Sequence, residues 1–171
     1  MSVSQTASVT LAPPTPADGP TLWSIADGTG VLDVNSRYAY ALWGRDFAAT
    51  SVVARLDGRP VGFVTGYRRP AEPDTLFVWQ VAVDAAARGH GVAASMLDHL
   101  ADRVGCTHLE TTITADNAAS IALFSAFAQR HGAAVERTEL FAAAELGAGI
   151  KPEFLHRIGP ITTTTGEMHT G

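Results

Sequence analysis

Val81-Ala82-Val83-Asp84-Ala85-Ala86-Ala87-Arg88-Gly89-His90-Gly91-Val92-Ala93-Ala94-Ser95-Met96-Leu97 reads as a strand, a glycine loop and the start of a helix. Val78, Val81 and Val83 are β-branched and suit the strand. Val92, Met96, Leu97, Leu100 and Val104 recur near a 3.6-residue period, and Gly105 stands where the helix should stop. A strand feeding the first turn of a helix leaves several N–H groups without partners, aimed at one place and reinforced by the helix dipole. Such a place holds phosphate.

Two glycine-loop chemistries do not fit. A nucleotide P-loop needs Lys followed by Ser or Thr after its second Gly, and the one lysine here is Lys151. A dinucleotide fingerprint needs a third glycine, and Ala93 occupies that position. The remaining pattern, R-x-x-G-x-A behind Val-Ala-Val-Asp, resembles the acyl-CoA loop of the GCN5-related N-acetyltransferases. That resemblance implies acetyl-CoA as co-substrate, held by Val81, Val83, Arg88, Gly89, His90, Gly91, Val92 and Ala93, with no metal.

The chain has 171 residues, 46% of them hydrophobic, enough for one domain with an ordinary core. A net charge of -5 and a sequence pI near 5.6 argue against a nucleic-acid partner. Cys106 is the single cysteine, so no internal disulfide can form, and a small core residue is its expected role. No run is long enough for a transmembrane helix, and a soluble, cytoplasmic protein is expected. Residues 1–9 and 160–171, rich in Ser, Thr and Gly, are expected to be flexible ends around a domain at 10–159, with His169 solvated in the tail.

Along the chain, Thr15-Pro16-Ala17-Asp18 signals a helix start, and that helix should run to about Asp27 before Gly28 and Gly30. Asp33, Asn35 or Ser36 fits as cap of a second helix carrying Tyr38, Leu42 and Phe47. Ser51–Leu56 and Val61–Tyr67 make a hairpin around Asp57-Gly58, with Gly62 and Gly66 marking close backbone approach. A Pro-rich loop over 69–74 leads to a strand over 75–84. Beyond the crossover helix come a strand over 108–114, a helix from Asp116 or Asn117 to Phe127, and late strands over 134–141 and 154–158. This order predicts an α/β (α+β) domain with a mixed sheet. It is also the element order of the acetyltransferase fold, whose splayed parallel strands and helices on both faces the resemblance implies for about 10–159. The site belongs beside residues 79–91, since ligands bind at the carboxyl ends of parallel strands next to a helix N-terminus.

Five blocks narrow the resemblance: residues 32–40, 62–67, 76–83, 110–117 and 157–159 look like the L-2,4-diaminobutyrate acetyltransferases of ectoine biosynthesis. The reaction implied is acetylation of the 4-amino group of L-2,4-diaminobutyrate, and a homodimer is implied as well. A substrate with two ammonium groups and one carboxylate needs acidic or aromatic partners for its cations and a donor for its anion. Asp33, Glu110 and Trp79 answer the first need, Arg37 or backbone amides the second. Tyr38 is a further lining candidate, although its spacing with Leu42 and Phe47 suits burial too. Trp79 equally fits a core position, and Glu110 a solvated strand position. Trp79 and Gln80 must lie on opposite faces of their strand.

Aminolysis of a thioester requires a neutral amine, whose conjugate acid has a pKa of about 10 in water. Glu110, directly or through water, is the candidate base. The family resemblance implies that an N–H near Val81 stabilises the oxyanion. Many members carry Tyr seven residues after the matched Asn to protonate the leaving thiolate; here Asn117 is followed by Phe124, which has no proton to give. Asn117 either touches the pantetheine arm or caps its helix. Ile150 stands where related sequences often have His, a few residues before Glu153. Two other functions stay open: an acetyltransferase for another amine, such as ornithine or a polyamine, and a non-catalytic coenzyme A-binding module.

Overall fold

The structure is a computed structural model that describes residues 8–162; the flexible ends expected at 1–9 and 160–171 lie mostly outside that range. Its contacts form two compact units, one of residues up to 67 with 78–100, the other of 68–77 with 101 onward. Three elements contribute to both: β3 (Arg59–Arg69), β4 (Glu72–Val83) and α3 (Val92–Val104).

In the first unit, β1 (Val9–Ala12) pairs antiparallel with β2 (Val52–Leu56), and β2 pairs antiparallel with β3. Asp57 at φ 50° and Gly58 at φ 81° give two successive left-handed residues, which is what a two-residue hairpin turn needs. Two helices, α1 (Gly19–Thr29) and α2 (Arg37–Asp46), pack on this hairpin. Their shared core is Leu22, Ile25, Ala26, Tyr40, Val53, Phe63 and Ala82. Glycines let the helices meet: a Cβ on Gly19 would lie 2.8 Å from the Ala41 backbone, and one on Gly44 2.5 Å from the Thr15 carbonyl oxygen.

In the second unit, Thr75, Leu76 and Phe77 of β4 pair in parallel with His108, Leu109 and Glu110 of β5 (His108–Ile113). β5 then pairs antiparallel with β7 (Glu153–Gly159), and β7 with β6 (Ala134–Phe141). The helix α4 (Ala118–Arg130) and the single turn α5 (Ala143–Leu146) complete this unit. The strand order is β1-β2-β3-β4-β5-β7-β6, a mixed sheet as the sequence predicts.

Local signals set most boundaries. Ser36 caps α2 by accepting from the Ala39 N–H at 3.1 Å, and Asn117 caps α4 by accepting from the Ser120 N–H at 3.1 Å. The expected apolar face of α3 is buried throughout, with Met96, Leu97 and Leu100 fully inaccessible, and Gly105 ends the helix at φ 66°.

Four expectations are corrected. The chain after Thr15 first makes a 3-10 turn over Pro16–Asp18, and α1 runs on to Thr29, through Gly28, before Gly30 at φ 67° stops it. The expected Pro-rich loop is a hairpin: β3 reaches Arg69 and β4 starts at Glu72, with Pro73 at the second position of the strand, where a missing N–H costs least. Val9 belongs to a strand rather than to a loose terminus. Ile161 is buried, and its N–H donates to the Thr107 carbonyl at 2.7 Å, so order continues past residue 159.

Candidate active site

The glycine loop is built as its sequence requires. β4 ends at Val83, and the Asp84 N–H donates to the Val61 carbonyl at 2.7 Å, fixing where the chain leaves the sheet. The Asp84 carboxylate accepts from the Ala86 N–H, and the Arg88 guanidinium reaches back to the Val83 carbonyl at 3.2 Å. Gly89 and Gly91 take φ of 82° and 71°, which L side chains rarely adopt. Val92 opens α3, so the first-turn amides around Val92, Ala93 and Ala94 have no intrahelical acceptor. Arg88, Gly89, His90 and Gly91 are exposed; Val81, Val83 and Ala93 are partly so. A Cβ on Gly62 would stand 3.1 Å from the Ala82 carbonyl, the close approach expected where β3 runs beside the loop strand.

Trp79, Gln80, Asp33, Tyr38 and Arg37 all lie in the same unit as the loop. Trp79 is 40% exposed and stacks on Trp43 with ring centroids 4.5 Å apart and planes 25° from parallel. Trp43 in turn donates its Nε1–H to the Ser51 hydroxyl at 3.0 Å, so one face of Trp79 has a fixed backing. Gln80, on the other face of β4, is buried. The Asp33 side chain is exposed, while its backbone carbonyl accepts from Gln80 Nε2 at 2.9 Å. Tyr38 is 74% exposed, so it does not belong to the core. The Arg37 guanidinium lies 3.8 Å from the centre of the Trp23 ring, a cation–π contact.

Glu110 and Asn117 lie in the other unit. Glu110 is 3% exposed, so the solvated-strand alternative falls. Its Oε1 is 2.6 Å from Arg157 Nη1, and its Oε2 is 3.5 Å from Arg69 Nε. Glu72 joins both arginines, at 2.6 Å from Arg69 and 3.3 Å from Arg157. Asn117 caps α4 through its side-chain oxygen. Phe124 is buried on the same helix, so no phenol stands at that position. Cys106 is buried and free, and burial pushes its thiol up, the state of an inert core cysteine. Lys151 pairs with Asp116 beside the segment that holds Ile150.

Two roles escaped the sequence. Trp43 reads as one more apolar helix position, and Arg157 as a terminal strand residue; only the register that sets Arg157 opposite Glu110 reveals its partner.

A family model described as acetyltransferase (GNAT) family matches residues 21–128. Over 156 residues the chain is 58% identical to L-2,4-diaminobutyric acid acetyltransferase of Streptomyces coelicolor, covering 87% of this chain and 91% of that protein. It is 43% identical over 154 residues to the protein of the same name from Halomonas elongata, covering 88% and 80%. Among solved structures, diaminobutyrate acetyltransferase EctA from Paenibacillus lautus, in complex with L-2,4-diaminobutyric acid and coenzyme A, superposes with a TM-score of 0.86 at 36% identity, covering 94% of this chain and 99% of that one. The matched span takes in β4, the phosphate-fitting loop and α3, and the chain belongs to the acetyltransferase (GNAT) family.

Proposed function

We propose that the protein transfers the acetyl group of acetyl-CoA to the 4-amino group of L-2,4-diaminobutyrate. The observation that carries this is the 58% identity, over 87% of this chain, to a protein named for that activity. The glycine loop supports it, because its geometry suits a pyrophosphate. Arg88 to Ala93 hold the coenzyme phosphates, and the edge of β4 at Val81 and Val83 pairs with the pantetheine amides.

Asp33 and the open face of Trp79 take the ammonium groups of the diamino acid, with Tyr38 beside them and Arg37 for its carboxylate. The 4-amino nitrogen must lose a proton before it attacks the thioester carbonyl. Glu110, held between Arg157 and Arg69, receives that proton directly or through water. The nitrogen–carbon bond forms, the oxyanion accepts from the Val81 N–H, and the carbon–sulfur bond then breaks as the nitrogen gives its second proton to water. With Phe124 in place of a phenol, the thiolate leaves unprotonated or takes its proton from water.

We also infer that the protein acts as a homodimer in the cytoplasm and serves to make the compatible solute ectoine under osmotic stress. Among the described residues no helix is long and apolar enough to cross a membrane. Free thiol release from acetyl-CoA with L-2,4-diaminobutyrate, set beside ornithine, lysine, 1,3-diaminopropane and 2,3-diaminopropionate, tests the function. Preference for diaminobutyrate, with the acetyl group on nitrogen 4 by NMR, is expected. Turnover of only another amine would replace the substrate; binding of acetyl-CoA without any turnover would leave a coenzyme-binding module.

A further inference from the structure

The segment between α1 and α2 carries Asp33 and has no regular secondary structure, yet it is tied down along its length. The Leu32 N–H donates to the Thr29 hydroxyl at 3.3 Å, and Ser36 caps α2. Between these, Gln80 Nε2 donates to the Asp33 carbonyl at 2.9 Å, and Gln80 Oε1 accepts from the Tyr40 hydroxyl at 2.8 Å. Gln80 is itself fixed from behind, because its backbone N–H donates to Thr65 Oγ1 at 3.2 Å. Tyr40 is 1% exposed and edge-on to Phe63, with ring centroids 5.8 Å apart. The chain Phe63, Tyr40, Gln80, Asp33 therefore leads from the core to an exposed carboxylate.

Chemistry leaves little choice of side chain at position 80. The Asp33 carbonyl can only accept, so the group facing it must donate; the Tyr40 hydroxyl points its proton at an acceptor on the same side chain. A primary amide of glutamine's length does both while neutral. Glutamate of the same shape, when ionised, would set a carboxylate oxygen against the Asp33 carbonyl.

We propose that Gln80 is a positioning residue for the reaction: by holding the Asp33 peptide it fixes the Asp33 carboxylate where the diamino acid's ammonium binds. This rests on the reading of Asp33 as a substrate residue. Gln80 never touches substrate in this account, and its effect passes wholly through Asp33.

The test is a steady-state set of Gln80→Met, Gln80→Glu, Asp33→Asn and the Asp33→Asn/Gln80→Met double variant, with KM for diaminobutyrate, KM for acetyl-CoA and kcat for each. Gln80→Met should raise KM for diaminobutyrate about tenfold, the loss of one hydrogen bond's worth of ordering, with kcat and the acetyl-CoA KM within about twofold. In the Asp33→Asn background the same change should leave KM unmoved. Gln80→Glu keeps the shape and adds a pH readout: its KM, relative to wild type, should fall towards unity as pH drops and the buried carboxyl regains a proton to donate. Equal KM increases with and without the Asp33 carboxylate, or a pH-independent ratio for Gln80→Glu, would overturn the inference. A wild-type KM for Asp33→Asn would instead remove Asp33 from the site, and Gln80's role with it; a raised KM there beside a wild-type KM for both Gln80 variants would remove Gln80 alone.

Discussion

Arg157 Nη1 stands 2.6 Å from Glu110 Oε1, across the antiparallel register that sets the two residues opposite each other on β7 and β5. The Glu110 side chain is only 5% exposed, so its charge depends on this partner and on Arg69. Removing one member of such a pair leaves the other buried and uncompensated. Arg157→Met should therefore lower stability by about 3 kcal/mol, read as a reduced urea midpoint with an unchanged slope. A loss below about 1 kcal/mol would mean that Arg69 and Glu72 neutralise Glu110 without Arg157.

Glu110→Gln keeps the shape and removes the charge. If Glu110 receives the amine proton, kcat should drop about a hundredfold or more at pH 7 and recover as pH rises and more substrate amine is already neutral. Single-turnover measurement of thiol release checks this. A kcat within a few-fold of wild type, with raised KM for diaminobutyrate, would make Glu110 a charge partner of the substrate and not its base.

Asp33 and Trp79 should act on substrate affinity alone. Asp33→Ala removes a charge-assisted hydrogen bond and should raise KM for diaminobutyrate about 10- to 100-fold. Trp79→Ala should raise it about fivefold through the lost cation–π face, while Trp79→Phe keeps the stack on Trp43 and most of the affinity. For each variant the acetyl-CoA KM should stay near wild type; a parallel rise in both would place these residues on the coenzyme side.

The loop glycines give the opposite pattern. A Cβ on Gly91 would meet nothing within 4 Å, so the cost of Gly91→Ala is the left-handed backbone itself, about 1–2 kcal/mol. That strain should move the amides of the phosphate cradle and weaken coenzyme A binding about tenfold by calorimetry. An unchanged affinity would show that the cradle lies elsewhere.

Asp18 supplies a pH-dependent part of stability. Burial alone would raise its carboxyl, but hydrogen bonds from Arg55 at 2.7 Å and from the Thr15 backbone at 2.8 Å, with the Arg55 charge, outweigh burial and leave it below its ordinary value. A depressed carboxyl stabilises above its unfolded pKa, near 3.9, and that contribution is lost as pH falls through the folded value. Asp18→Asn should cost about 3 kcal/mol at pH 7, and the gap between variant and wild-type melting temperatures should narrow below about pH 4. A constant gap across that range would exclude the ion pair as its source.

Gln80 and Glu110 mark the limit of what could be read without a structure. The strand, glycine loop and helix over 81–104 were legible because each signal is local: β-branched residues, two glycines, and an apolar period that buries on one face. The caps at Ser36 and Asn117 and the turn at Asp57-Gly58 were legible for the same reason, since a cap bonds to the backbone three residues away. β1 was not, because four residues without alternation become a strand only by pairing with β2, more than forty positions on. Pro73 hid the start of β4, since proline argues against a strand interior and is admitted at its beginning.

The candidate side chains, then, were written in the sequence as residue types, the loop as a phosphate site, and the class of co-substrate in the resemblance of that loop to the acetyltransferases. Their partners were decided by the tertiary structure. Glu110 meets Arg157, and Gln80 meets Asp33, each across 47 positions. Hydrogen bonds and periodicity within one element depend on neighbours a few residues apart, which the sequence shows directly; which residue faces which across two strands, or between a strand and a distant loop, depends on strand order and register, and a shift of one residue would turn every side chain to the other face.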